Sequence, residues 1–508
     1  MSPRPLSTGS EWSLERIRRY DEALGRLAEE HGLDTWPNQI ELISSEQMMD
    51  AYAASGMPFY YHHWSFGKHF LNLESQYRRG QMGLAYEIVI NSNPCIVCLL
   101  EENTMMMQAL VIAHAAYGHN SFFKGNYLFR TWTDADTIID ELDRSRECIR
   151  HHEERHGVEA VERTLDACHA LMHYGVDRYK RPPPLSPAEV ERRQREQQAH
   201  RQRQVNDLWR TIPPSAPPEP GQPSADALER QLAEPQENLL HFIEHHAPLL
   251  EPWQREIVAI VRRLAQYFYP QRQTQVMNEG WATFWHYTLL HQLYDRGLVT
   301  DGFMLEFLQA HTSVLAQPGY DSPAYAGLNP YTLGFAMMRD LRRICEAPTE
   351  EDLAWFPELA GSPWRDTLQF AMRNFKDESF IQQYLSPRVM RELRLFAVLD
   401  DDRQSEIEIA AIHDDEGYRQ LRELLAAQYN LSDREPNIQV VDVDLRGDRA
   451  LYLQHIQHQR RPLGEQVTAV LAHIHHLWGF DVHLESLHRG QVQSRHRYPL
   501  PTSPRSGL

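Results

Sequence analysis

The sequence predicts a mainly α-helical N-terminal domain with a zincin-like metal site, followed by a small C-terminal α+β domain. Three observations lead there. Apolar residues recur at helical spacing through much of the first 390 positions, as in Trp253, Ile257, Ile260, Val261, Leu264 and Phe268. From Leu393 the pattern changes to period two, in residues 393–399 and again in 407–412. Between 182 and 236 stands a Pro/Arg/Gln-rich stretch too poor in apolar residues to fold alone. The expected organisation is a first part of the helical core over 1–181 and a flexible insertion over 182–236. The second part of the core follows over 237–392, then the α+β domain over 393–490 and a disordered tail over 491–508.

A chain of 508 residues exceeds one ordinary core, so more than one domain is expected. Its formal charge of -19 argues against nucleic-acid binding, because phosphate contacts need a basic surface. Mean hydropathy is -0.57 and no long apolar run is present, so a spanning helix is not expected. The first ten residues lack the apolar core of a signal peptide. Five cysteines, an odd number, suit a reducing cytoplasm.

Residues 11–31 read as a charged amphipathic helix, Trp36-Pro as a break, and residues 45–55 as a short helix. An aromatic loop over 56–68 carries His62 and His63, one expected to be buried and hydrogen-bonded, the other exposed. Cys95-Ile-Val-Cys98 lacks a second CxxC, and its apolar middle reads as buried strand or helix start. Glu101-Glu102-Asn103 opens an apolar helix over 105–113. Further on, Glu162, Asp166, His169 and His173 step by four, three and four along one helix face, a spacing shared by helical metal sites and solvated faces. Pro270 is expected to end the helix that begins near Trp253. The loop over 316–334, rich in Gly and Pro, is the kind of segment that lines sites. Beyond 393 the order reads ββαββαβ.

Two stretches carry the candidate chemistry. His114-Ala-Ala-Tyr-Gly-His119-Asn120-Ser-Phe-Phe-Lys124 follows the apolar helix, and Asn278-Glu279-Gly-Trp-Ala-Thr-Phe-Trp-His286 lies far downstream. Histidine with carboxylate is the usual donor set of zinc and non-haem iron sites. The expected ligands are His114, His119 and Glu279, with His286 or His169 as a fourth ligand or as support, around a divalent metal, zinc by preference. Five residues span about 140° of an ideal helix, so His114 and His119 converge only if the helix ends or bulges near Gly118. Glu279 and His286 share a face but stand about 10 Å apart along the axis. Zinc peptidases with HExxH keep a glutamate beside the first histidine, and here that neighbour is Ala115. A general base would then come from Glu279, if it is not a ligand, or from Glu101, Glu102 or Asp166. Asn120, Lys124 and Tyr331 are candidates to orient substrate or stabilise an oxyanion. No Ser-His-Asp motif or phosphate-binding glycine loop is present.

The two stretches together with Tyr61-His-His63-Trp-Ser-Phe-Gly-Lys68, Asp166-Ala-Cys-His169 and Asn329-Pro-Tyr331-Thr-Leu-Gly334 resemble the stage V sporulation protein R (SpoVR) family. The likeness runs over about residues 10 to 490. It implies a cytoplasmic bacterial protein of spore cortex formation or, in bacteria that do not sporulate, of stationary phase and stress response. It also implies work beside a PrkA-type serine kinase and a YeaH/YhbH-like protein. The family brings no established catalytic mechanism. Two expectations follow, a metal-dependent enzyme acting on an amide or peptide bond and a non-catalytic adaptor for that kinase and its partner.

Overall fold

Ser13 opens the first helix by accepting a hydrogen bond from the Arg16 amide, and α1 (Leu14–Glu30) buries Ile17, Tyr20, Leu24 and Leu27 along one stripe. The computed structural model describes residues 4–54, 61–65, 68, 87–176, 237–319, 322, 325, 327–395, 397–399, 408–411, 414–431, 435–444, 447–458 and 461–499. The expected insertion at 182–236 lies outside them, as do parts of the 56–68 and 316–334 loops. The chain divides into two compact units, 1–163 with 266–435, and 164–265 with 436–508.

In the first unit a three-stranded sheet precedes the site. Strand β1 (Asn38–Ile43) follows Pro37, where only a break was expected, and α2 (Ser45–Ala53) starts with a capping box between Ser44 and Gln47. Strands β2 (Glu87–Ile90) and β3 (Cys95–Leu100) complete the sheet, with β3 in the middle, parallel to β1 and antiparallel to β2. Every residue of β3 is buried, as its unbroken apolar run requires. Cys95 and Cys98 are three apart in this strand, so they point to opposite faces and cannot share an ion. Burial pushes their thiols up, to about 12 and about 11. As expected from the sequence, these are core cysteines.

Thr104 caps α3 (Met105–Val111), which passes without a break into a π-helix (Ile112–His119) and then α4 (Asn120–Gly125). Helices α5 (Tyr127–Trp132) and α6 (Ile138–His156) follow. Helix α7 (Val158–Ala170) ends before His173, which sits on a separate 3₁₀ turn (Met172–Tyr174). The expected four-residue face therefore stops at His169. Among the two adjacent histidines of the aromatic loop, His63 is buried with Nδ1 on Ser65 Oγ at 2.7 Å, and His62 is exposed.

Helix α8 (Leu239–His246) belongs to the second unit, and α9 (Pro252–Gln273) continues past Pro270, contrary to the expected stop. Pro270 lies in the last turn, where it removes one amide hydrogen bond and only three residues of helix follow it, and the Pro270 carbonyl accepts from Thr274 Oγ1 at 2.8 Å. Helix α10 (Gln275–Asp295) is buried on nearly every side, including Trp281, Trp285 and Leu289, and forms the axis of the first unit. It packs against the π-helix, α1 and α12 (Pro330–Glu346), with α11 (Asp301–Val314) beside it. Two close approaches make this possible. A Cβ on Gly118 would stand 2.6 Å from Ala282 Cα, and one on Gly280 would stand 2.5 Å from Gly334 Cα. Helices α13 (Glu350–Trp355), α14 (Trp364–Asn374), α15 (Asp377–Tyr384) and α16 (Pro387–Glu392) close the unit.

The boundary expected at 393 falls instead at 436. Strands β4 (Ala397–Leu399) and β5 (Glu408–Ala411) pair as their own two-stranded sheet, and α17 (Asp415–Gln428) packs on α15 of the first unit. The second unit carries β6 (Asn437–Val443), β7 (Leu451–Ile456), α18 (Val467–Trp478), β8 (Val482–His488) and β9 (Gln491–Tyr498). The sheet runs β6-β7-β8-β9, with β7 and β8 parallel and both outer pairs antiparallel. Leu451, Leu453, Val482 and Leu484 alternate inward beneath α18. Residues 491–498, expected to open a disordered tail, are thus an edge strand. Their polar composition reflects the open edge, where Arg495 pairs with Glu485 and Arg497 with Asp481 across the register. Among the described residues no helix is long and apolar enough to cross a membrane.

Candidate metal centre

The π-helix solves the spacing problem of His114 and His119. An i→i+5 ladder places residues five apart nearly over one another, whereas an α-helix would turn them away. Their rings stand 4.6 Å apart at 90°. Gly118 therefore does not end the helix. It lets the widened turn lie against Ala282 of α10, which brings Glu279 to the same point.

Four donor atoms converge there. His114 Nε2 lies 3.3 Å from Glu87 Oε1 and 3.5 Å from Glu279 Oε2. His119 Nε2 lies 3.4 Å from Glu279 Oε2 and 3.8 Å from Glu87 Oε1. Donors about 2.0–2.1 Å from one tetrahedral zinc stand roughly 3.3–3.4 Å from one another. Glu87, His114 and His119 offer donor atoms that all lie within 4.8 Å of one another, and Glu279 Oε2 stands beside both imidazoles. Glu87 Oε2 and Glu279 Oε2 are buried without a hydrogen bond, which is costly for carboxylate oxygens unless a cation compensates them. Glu87 was missed by sequence reasoning. Its signal was a single acid opening the otherwise apolar strand Glu87-Ile-Val-Ile90, since a carboxylate on a buried strand needs a partner.

The second ring nitrogens are tied down. His119 Nδ1 lies 2.9 Å from Asn278 Oδ1; the amide oxygen only accepts, so the proton sits on Nδ1 and Nε2 turns its lone pair to the cluster. His114 Nδ1 lies 2.9 Å from His286 Nδ1, and His286 Nε2 lies 2.9 Å from His311 Nδ1. If His114 offers its Nε2 lone pair as a ligand, its Nδ1–H donates to His286, which in turn donates to His311. Burial, with the neighbouring histidines, holds His286 well below the usual imidazole range and lowers His311 to about 4. His286 and His311 are thus neutral rings, and the contacts run in one chain from His114 through His286 to His311. His286 is therefore not a ligand, because two turns of α10 separate it from Glu279, and it holds His114 from behind. His311 was also missed. It repeats the buried α11 stripe of Phe303 and Phe307 at four-residue steps.

The other expected site residues divide. Tyr331 starts α12 beside the cluster, its ring stacked 6.2 Å from His114, and the charge of Glu279 with burial pushes its phenol far up. Tyr52 joins it, donating to the Glu87 carbonyl at 3.2 Å. Asn120 is fully committed elsewhere: Oδ1 accepts from Trp36 N at 2.8 Å, and Nδ2 donates to Trp36 O and Asn38 Oδ1 at 2.9 and 2.8 Å. Lys124 binds Asp34 at 2.6 Å and Thr35 O at 3.0 Å and sits over the Trp36 ring. Asn120, one residue past His119, and Lys124, five past it, are thus turned toward Trp36, Asn38, Asp34 and Thr35 at the approach to β1. His169 lies on α7 in the second unit and is not part of the cluster. Of the bases considered, Glu101 and Glu102 are exposed at the end of β3 and Asp166 lies in the second unit.

The two carboxylates differ. Burial would raise Glu279, but His119 and His114 outweigh it and hold it well below the carboxylate range. Burial dominates at Glu87 and raises it, with Glu279 adding to the rise. His119 moves the other way from a buried imidazole: burial lowers it, but Glu279 and Glu87 push it up to about 9. Without an ion the cluster thus carries its proton on His119. Because the folded value lies above the ordinary 6.5, this pairing stabilises fully below pH 6.5 and is lost as pH rises through about 9. Urea unfolding of metal-free protein should show a lower midpoint at pH 9.5 than at pH 6.5, and His119→Ala should flatten that slope. Zinc uptake at pH 7.5 should release about one proton, read by calorimetry in buffers of different ionisation enthalpy.

Comparison with known proteins agrees with the motifs. The family described as SpoVR like protein matches residues 11–434, and the SpoVR-like C-terminal domain matches 436–489, the second beginning where the sheet unit resumes. A protein of Escherichia coli (strain K12), described as "Uncharacterized protein YcgB", is 60% identical over 503 residues, covering 99% of this chain and 97% of that protein. No solved structure matches. With both family matches spanning nearly the whole chain, the protein belongs to the SpoVR family.

Proposed function

We propose that the protein is a metal-dependent hydrolase of an amide or peptide bond. The observation that carries this reading is the convergence of His114, His119, Glu279 and Glu87 at ligand spacing on the wall of one cavity. Two histidines and a glutamate as ligands, with a second glutamate as base, is the zinc-peptidase donor set reached by a different helix geometry. Glu279, held ionised between both imidazoles, fits the ligand. Glu87, raised by burial, fits the base, since opposed environments of two carboxyl groups separate their roles. A zinc ion held by His114, His119 and Glu279 would supply Lewis acidity toward water and the substrate carbonyl. Glu87 would take a proton from the attacking water as the C–O bond forms and return it to the amine nitrogen as the C–N bond then breaks. The phenol of Tyr331, kept protonated, can donate to the carbonyl oxygen as it gains charge.

Elemental analysis of purified protein, then of His114→Ala, Glu279→Gln and Glu87→Gln, tests this. The wild type should hold about one zinc, the first two variants should lose it while folded, and Glu87→Gln should keep it. Against a panel of peptide and N-acyl p-nitroanilides, Glu87→Gln should fall about 10²–10⁴-fold below wild type. A wild type that takes up no metal after reconstitution would falsify the reading. For the physiological setting we propose what the family resemblance implies, spore cortex or stress physiology in the cytoplasm beside a PrkA-type serine kinase and a YeaH/YhbH-like protein; membership of the SpoVR family supports this reading. Pull-down with those two proteins, with metal-depleted His114→Ala as bait, separates an adaptor from an enzyme.

A further inference from the structure

The cluster opens into a cavity of about 580 Å³, large enough for a drug-sized ligand. Its walls beyond the four donors are largely apolar. Ile90 of β2, Leu110 and Val111 of α3, Tyr267 and Phe268 of α9 and Val314 at the end of α11 line it. Among the described residues that line it there is no lysine or arginine. Glu87 and Glu279 are the acids among those described lining residues, and both belong to the cluster, where each keeps 20% of its side chain exposed. The Asn329 amide is consumed internally, with Nδ2 on Val314 O and Oδ1 accepting from Tyr331 N. Gln271 is the neutral polar side chain left on the wall beside Phe268.

This lining discriminates by charge. A substrate carboxylate or phosphate on the apolar wall away from the cluster would be desolvated with no lysine or arginine among the described lining residues to receive it. An uncharged chain would instead bury its surface on Ile90, Val111, Phe268 and Val314, each methylene strengthening binding about fourfold. We propose that the cavity is an acyl pocket, which takes the uncharged aliphatic or aromatic acyl group of an amide and presents its carbonyl carbon to the cluster. The proposal rests on the hydrolytic reading above and adds the class of substrate. Chain length sets affinity, a terminal charge abolishes it, and Gln271 is the polar contact available to an amide group along the chain.

Hydroxamates separate the pocket from the metal, because the head group binds zinc and the tail reports the wall. Binding of acetohydroxamate, hexanohydroxamate and octanohydroxamate to zinc-loaded full-length protein is measured by calorimetry, with zinc content determined on the same sample. An eight-carbon hydroxamate ending in a carboxylate is the charged control. Octanohydroxamate should bind at least about 100-fold more tightly than acetohydroxamate, and the charged control should lose that gain. Val314→Trp, a partly exposed wall position, should remove the chain-length gain and spare acetohydroxamate. Equal affinity along the series on protein that holds zinc overturns the acyl pocket and leaves the metal centre standing. Zinc-loaded protein that binds no hydroxamate overturns it as well. Protein that holds no zinc but binds octanamide, with loss in Val314→Trp, removes the metal reading and keeps the pocket.

Discussion

Gly334→Ala is expected to destabilise the first unit by at least about 3 kcal/mol, and the protein to be recovered poorly or unfolded at 37 °C. The reason is backbone contact. A Cβ at Gly334 would stand 2.6 Å from Gly280 Cα and still nearer the Val276 carbonyl, atoms that cannot rotate away. Helices α10 and α12 must then separate along their whole crossing. That separation opens voids beside Trp281, Met277 and Leu333, which are wholly buried. Gly280→Ala attacks the same point from the other helix and should match it in a urea titration. The double variant should cost less than the sum, since one separation accommodates both. Equal stability of Gly334→Ala and wild type would mean that the helices do not cross at these residues.

The second large effect is expected at Asp377. Its carboxylate caps α10 from 100 residues away, accepting from Val276 N at 2.9 Å and Met277 N at 2.8 Å. The positive end of the helix and two charge-assisted hydrogen bonds favour the ionised group. Burial opposes them and wins, so the carboxyl is pushed up to about 7. Asp377→Ala should cost about 2–4 kcal/mol, because two amides at the start of the central helix are left without acceptors. It should also weaken zinc binding by at least about tenfold, since Glu279 stands two residues beyond Met277 and takes its position from that first turn. The pH dependence has a definite sign. A carboxyl raised above its ordinary 3.8 gives stability present below that value, which declines as pH rises toward about 7. Asp377→Asn should remove this decline, measured as the difference in urea midpoint between pH 4.5 and pH 7.5.

Part of this site was legible without coordinates. Histidine and carboxylate identity, and the pairing of two distant stretches, could be read because ligand chemistry restricts residue type. The meeting of His114 with His119 could be read only as a condition, since an α-helix forbids it and no residue type announces a π-turn. Asn120 and Lys124 were drawn to the site by adjacency in sequence, yet each residue of a helix turns the side chain by about 100°. Glu87 failed to stand out because strands are recognised by their apolar members, and the informative residue was the exception. Folding at the second boundary misled for a related reason. Period two marks strands wherever they occur, and β4 and β5 carry the pattern while α17 packs with the first unit.

The widened turn between Ile112 and His119 has a consequence for how an ion would arrive. A π-helix relaxes toward the tighter α ladder if nothing prevents it, and that contraction would swing everything after Gly118 through about one residue's rotation. Asn120 cannot follow, being clasped by Trp36 and Asn38 through three hydrogen bonds, and Lys124 is fastened to Asp34 and Thr35. Asn120 and Lys124 thus anchor the chain just past the two histidines and hold the widened turn in place. On the proposed metal-dependent reading the cluster would be pre-organised, so an ion would meet donors already in place and the entropy of arranging them would have been settled when the chain folded.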